Sequence, residues 1–255
     1  VTVAEGGSSP TDAARTEPGA TVARAELETF VERALAEGRG RLLGRGYQAR
    51  VYLLDAPIGR VVVKQAYGPP ILRRVGLRAL RREAAVYERL RGVAGVPRSY
   101  GLVDGHLVLE HIDGPSLRRH QDRLEDRERF FTRLLETLDA MHAAGVAHGD
   151  LKRKDNVLVG PGERPYVIDF GIAWCVDPDS SRWRRRVFDV LCQMDYNSWL
   201  KLKYRRRFED AENVSPPDAE RYRPLLLERA ARAVRIPWQR ITLRRLRKRH
   251  RARRA

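Results

Sequence analysis

The chain has 255 residues, enough for one ordinary domain or two small lobes around a buried core. Its 42% hydrophobic and 33% charged residues exclude fibrous, collagen-like and wholly disordered classes. Fifty Lys and Arg against 33 Asp and Glu leave a net charge of +17, and nine of those basic residues lie between Arg240 and Arg254 with no acid among them. No apolar run approaches the ~18 residues of a membrane span, so a bilayer-crossing chain is not expected. Two cysteines, Cys175 and Cys192, cannot make a disulfide scaffold and suit a reducing, cytoplasmic setting.

Residues 1–21 are rich in Gly, Ser, Pro, Thr and Ala and read as a disordered leader; without a basic start and an apolar centre they do not resemble a signal peptide. From Val22, Leu27, Phe30, Val31 and Leu35 recur at helical spacing, and Gly38 and Gly40 end the run. Strands are predicted over Tyr47–Leu54 and Arg60–Lys64, with Asp55–Gly59 as the turn. A basic helix follows over Ile71–Leu90. Two more strands are predicted over Val96–Leu102 and His106–His111, about a turn at Asp104-Gly105. The second half is helical in character. One helix is predicted over Leu117–Ala144, carrying Leu124, Phe130, Phe131, Leu134, Leu135, Leu138 and Met141 and stopped by Gly145. Short strands at Val157–Val159 and Tyr166–Ile168 flank a Gly-Pro-Gly-Glu turn, and helices are predicted over Ser181–Tyr204 and Ala219–Val234.

The densest chemistry lies in His148-Gly149-Asp150-Leu151-Lys152-Arg153-Lys154-Asp155-Asn156, followed after strand, turn and strand by Ile168-Asp169-Phe170-Gly171. In this order the motifs resemble the protein-kinase-like superfamily. The resemblance covers roughly residues 40–203. It implies an α+β, two-lobed kinase-like fold: a small antiparallel-sheet N-lobe over 22–112, a helical C-lobe over 113–235, and a basic tail over 236–255. It also implies ATP and Mg²⁺ as cofactors. Asp150 would accept the hydroxyl proton, Lys152 would steady the transferring phosphoryl group, and Asn156 and Asp169 would supply hard oxygen ligands to the metal. His148 reads as structural, and His142 as a packing residue. The family's asparagine stands five residues after the aspartate. Here Asn156 is six after Asp150 and Asp155 is five after it; Asn156 is favoured because Val157-Leu158-Val159 resumes the strand, and Asp155 remains the second choice.

The nucleotide half shows the same likeness. Leu43-Gly44-Arg45-Gly46-Tyr47-Gln48-Ala49-Arg50-Val51 resembles the phosphate-covering glycine-rich loop, with Ala49 in place of the third glycine. Lys64, ending Val61-Val62-Val63-Lys64, resembles the phosphate-binding lysine. Glu83 is its expected partner, with Glu88 as runner-up. Val108-Leu109-Glu110-His111-Ile112-Asp113-Gly114 resembles the hinge, which implies adenine against the backbone of Glu110 and Ile112 and between Val51, Val62 and Leu158.

Beyond Asp169-Phe170-Gly171 there is no Ala-Pro-Glu and little room for a long activation segment; Asp189, on the next helix, is placed to brace the catalytic loop. The compact pattern is similar to bacterial lipopolysaccharide-core kinases and to RIO-like kinases. The leading expectation is therefore an ATP-dependent kinase of a lipopolysaccharide-core sugar or related glycolipid hydroxyl. The alternatives are a RIO-like serine/threonine protein kinase and a pseudokinase binding module. A monomer is expected. The tail, in which Trp238, Ile241, Leu243 and Leu246 accompany the arginines, reads as a solvated end, as an anchor to an anionic membrane surface, or as a sequence-blind phosphate contact, with no specific nucleic-acid module to support the last.

Overall fold

The computed structural model describes residues 18–45, 49–205 and 214–223. The chain divides into two compact units, residues 1–84 with 99–111 and residues 85–98 with 112–255. Among the described residues no helix is long and apolar enough to cross a membrane.

The first unit is built on a five-stranded antiparallel sheet. Its strands are β1 (Arg41–Arg45), β2 (Ala49–Ala56), β3 (Gly59–Ala66), β4 (Ser99–Val103) and β5 (His106–Glu110), in the order β1-β2-β3-β5-β4. Alternation sorts its two faces. Leu54, Val61, Val63, Val103 and Val108 point one way and pack with Leu27, Val31 and Ala34 of helix α1 (Pro18–Ala36). Val62 and Lys64 point the other way, with Val51 directly across from Lys64 and Leu109 across from Val62. Helix α1 ends as its glycine predicts: Gly38 adopts a positive φ of 68°, its N–H reaches the Leu35 carbonyl, and that of Arg39 reaches Ala34. Helix α2 (Pro70–Arg89) matches the predicted basic helix.

Three expectations change here. Strand β1 was not predicted, because Leu42 and Leu43 are adjacent, both exposed, and interrupted by a bulge before Gly44, so no alternation marks it. The β2–β3 turn contracts to Pro57-Ile58, since Asp55 pairs with Arg60 and Ala56 with Gly59. The predicted Leu117–Ala144 helix is two helices, α3 (Leu117–His120) and α4 (Arg127–Ala143). The Asp126 side chain caps α4 by accepting from the Arg129 N–H at 2.9 Å. The Glu163 carboxylate accepts from the backbone N–H groups of Glu125 and Asp126, holding the break open.

In the second unit α4 buries Phe130, Phe131, Leu134, Leu138 and Met141. It packs on α5 (Arg182–Lys203), whose Trp199 donates its indole N–H to the Phe131 carbonyl at 2.7 Å. Two small antiparallel pairs complete the unit: β6 (Val146–Ala147) with β9 (Trp174–Cys175), and β7 (Val157–Gly160) with β8 (Arg164–Val167). A last short helix, α6 (Pro216–Arg221), starts on two prolines and ends before Tyr222, earlier at both ends than the predicted Ala219–Val234 helix; residues 224–234 lie outside the described residues. So do the leader up to residue 17 and the basic tail.

Candidate functional site

In the first unit the Lys64 ammonium meets the Glu83 carboxylate at 2.6 Å, with Glu83 buried and Lys64 half-buried. Strand alternation puts Lys64 on the face away from α1, and Glu83 reaches it from α2. Glu88 is not the partner: it pairs with Arg91 at the surface. Val51 and Val62 share the Lys64 face and are half-buried. Gly44 sits at the β1 bulge with open space where a Cβ would stand, and Gly46 lies outside the described residues. Glu110 closes β5 opposite Val61, and the His111 N–H extends the pairing to the Arg60 carbonyl.

The second unit holds the loop from His148 to Asn156. β6 leads into His148, which is fully buried. The Asp150 N–H donates to His148 Nδ1 at 3.2 Å, so the ring proton sits on Nε2 and is donated to the Ile168 carbonyl at 3.0 Å. One imidazole thus joins the Asp150 loop to the strand end before Asp169. The ring also lies 5.1 Å from that of Phe170, which packs edge-on to Tyr87 at 5.0 Å. Asp169, between the two anchored residues Ile168 and Phe170, has a φ of 69° and is exposed. A left-handed aspartate is uncommon and persists where its neighbours fix it.

Asp195 is the residue the sequence reading missed. From α5 its carboxylate accepts from the N–H groups of His148 at 2.7 Å and Gly149 at 2.9 Å, and lies 3.2 Å from His142 Nε2. Asp189, the expected brace, is exposed; six residues along a helix is a turn of 600°, which puts it on another face. His142 is a packing residue, edge-on to Tyr196 at 4.9 Å. Cys192, on the same helix, is buried, and burial together with the charges of Asp195 and Asp189 pushes its thiol up to about 12. Arg89 was also missed. It donates to the carbonyls of Ala144 and Val176 and pairs with Asp177 at 2.7 Å.

Asn156 and Asp155 separate clearly. The side chain of Asn156 is buried, and its Nδ2 donates to the Asp150 carbonyl at 3.1 Å, which turns Oδ1 away as a remaining acceptor. Asp155 is half-exposed and engaged elsewhere, with Arg118 Nε at 2.7 Å and Ser116 Oγ at 3.2 Å. The additional residue is taken up in a 3₁₀ turn over Lys154–Asn156. The Asp150 carboxylate is 3.6 Å from Arg153 Nη1, and Lys152 is exposed. Leu158 is half-buried on β7, where it bridges to Ser116. Gly114 admits no side chain, because a Cβ there would collide with the Val159 carbonyl. Asn156 carries an amide oxygen and Asp169 a carboxylate, hard oxygen donors of the kind Mg²⁺ takes.

Residues 72–190 match the model of the RIO domain. The chain is similar to a probable bifunctional tRNA threonylcarbamoyladenosine biosynthesis protein of Methanosarcina barkeri, 31% identical over 192 residues covering 69% of this chain and 33% of that protein. It is also similar to serine/threonine-protein kinase PknD of Mycobacterium tuberculosis, 37% identical over 143 residues covering 52% of this chain and 21% of the relative. CBL-interacting protein kinase 16 of Oryza sativa is 36% identical over 166 residues covering 59% and 36%. The chain spans between about a fifth and about a third of the length of these relatives.

Proposed function

We propose, from the premise that the chain belongs to the protein-kinase-like superfamily and matches the RIO domain over residues 72–190, that it transfers the γ-phosphoryl group of ATP to a hydroxyl acceptor. The observation that carries the reading is the loop in which His148 and Asp195 fix the backbone around Asp150 while Asn156 donates to the Asp150 carbonyl. Phosphoryl transfer asks mainly for positioning and charge neutralisation, and a doubly anchored aspartate meets the first need.

Asp150 is assigned the hydroxyl proton and Lys152 the charge of the transferring group. Asn156 and Asp169 would hold Mg²⁺, which when bound neutralises phosphate charge. Lys64, oriented by Glu83, is assigned to the phosphates, together with Gly44 and Gly46. The backbone of Glu110 and Ile112, with Val51, Val62 and Leu158, is assigned to adenine.

The acceptor proposed first is a lipopolysaccharide-core sugar or related glycolipid hydroxyl, supported by the short connection between Gly171 and α5. The RIO-domain match and the serine/threonine kinase relatives favour a protein hydroxyl as the second reading. Transfer from [γ-³²P]ATP, with glycolipid, protein and small-molecule fractions offered side by side, decides between them. Asp150→Ala should lower transfer by about 10²–10⁴-fold while ATP still binds. Absence of transfer to every fraction, with ATP bound normally, would leave the binding-module reading.

A further inference from the structure

On α2, residues 71, 74, 75, 78, 81 and 82 fall on one stripe of the helix at i, i+3, i+4, i+7, i+10 and i+11. They are Ile71, Arg74, Val75, Arg78, Arg81 and Arg82, and all six are exposed. Leu72 and Arg73, about 100° and 200° round the helix from Ile71, are exposed at its first turn but lie off the stripe. The aliphatic members stand far out of the fold: Ile71 is 75% exposed and Val75 44%. None of the four arginines of the stripe pairs with a carboxylate among the described residues. The acids of α2 are Glu83, turned to the opposite side and engaged by Lys64, and Glu88, paired with Arg91. The buried side of the same helix carries Leu80 and Glu83.

We propose that this stripe docks the protein on an anionic lipid surface, with Ile71 and Val75 entering the acyl boundary and Arg74, Arg78, Arg81 and Arg82 lying among the headgroup phosphates. Two features select a lipid surface. Four arginines without an opposing acid complement a dense anionic layer, and their planar forks match phosphate oxygens. Two projecting aliphatic side chains gain nothing from nucleic-acid phosphates, whereas an interfacial helix uses such a group as its anchor. A protein partner would have to supply an apolar pocket with acidic walls; a bilayer supplies both phases at once. The surface belongs to the first unit and is independent of the chemistry assigned to Asp150.

The test is co-sedimentation of the full chain with phosphatidylcholine vesicles, with and without phosphatidylglycerol, in low and in physiological salt. The wild type should bind the anionic vesicles. Arg74→Glu/Arg78→Glu/Arg81→Glu should weaken that binding by at least about tenfold, since each basic residue near such a surface contributes about fivefold. Ile71→Ser/Val75→Ser should weaken it too, and most in physiological salt, where the apolar share dominates. Circular dichroism and ATP binding by the same variants separate loss of docking from loss of fold or of nucleotide chemistry. Vesicle affinity unchanged in both variants overturns the proposal. So does a result in which only the arginine variant weakens and single-stranded RNA displaces the vesicles, which would make the stripe a phosphate contact of nucleic acid.

Discussion

The side chain of Asn156 is committed at one end and free at the other: Nδ2 is spent on the Asp150 carbonyl, and Oδ1 remains to accept or ligate. Asp155, next to it, is held at the surface by Arg118 and Ser116. Activity measured against Mg²⁺ concentration should therefore shift strongly to higher Mg²⁺ in Asn156→Ala and hardly at all in Asp155→Ala. The latter loses only an exposed ion pair, worth about 1 kcal/mol or less. A larger shift for Asp155→Ala would assign the ligand to that position. The spacing from Asp150 alone left both residues open, because a loop count does not tell which of two neighbours turns inward. The Lys64–Glu83 pair was expected from the kinase resemblance, with Glu88 as runner-up; both partners sit in regular elements, which hold them face to face.

Helix α5 works as a brace at one particular turn. Asp195 satisfies two backbone N–H groups of the loop that carries Asp150, one of them fully buried, and a buried donor left without an acceptor costs about 1–3 kcal/mol. Asp195→Ala should lower unfolding stability in urea by about 3 kcal/mol or more and reduce phosphoryl transfer with it. Asp195→Asn, which keeps one oxygen, should lose less, and Asp189→Ala should be close to neutral. A destabilised Asp189→Ala beside a stable Asp195→Ala would reverse the assignment. The extent of α5 was plain from its apolar pattern, but which of its carboxylates faces the loop depends on how the helix is rotated, and rotation is set by packing against α4. The break between α3 and α4 was hidden similarly. Apolar residues continue across it at near-helical spacing, and only the Asp126 cap and the distant Glu163 carboxylate decide it. Strand β1 escaped because an exposed edge has no burial pattern to read.

Across the second unit the chain is fastened by a charged clasp in which Lys203 meets Asp218 at 2.7 Å and Glu128 at 2.5 Å, while the Tyr204 hydroxyl donates to Asp218. Burial alone would raise the Asp218 pKa, but hydrogen bonds from Lys203, Tyr204 and Ser215 outweigh it and hold the carboxyl below its ordinary value. Burial alone would lower that of Lys203, and Asp218 and Glu128 reverse it to a net rise. A lowered carboxyl stabilises fully above its unfolded pKa of about 4, and that contribution fades as pH falls through the folded value. A raised ammonium stabilises fully below about 10.4 and fades as pH rises through its folded value. The clasp should thus contribute fully between about pH 4 and 10 and fade on either side. The difference in melting temperature between wild type and Asp218→Asn should be largest near neutrality and shrink below about pH 4. A difference that grows in acid would contradict the assignment.

The same helix that presents the arginine stripe carries Glu83, twelve residues beyond Ile71 and about 18 Å along a rigid rod. A surface that tilts the first turns of α2 therefore acts on the Lys64–Glu83 pair without touching it. Whatever factor an anionic bilayer imposes on affinity for nucleotide, nucleotide must return to affinity for the bilayer, because coupling free energy has no direction.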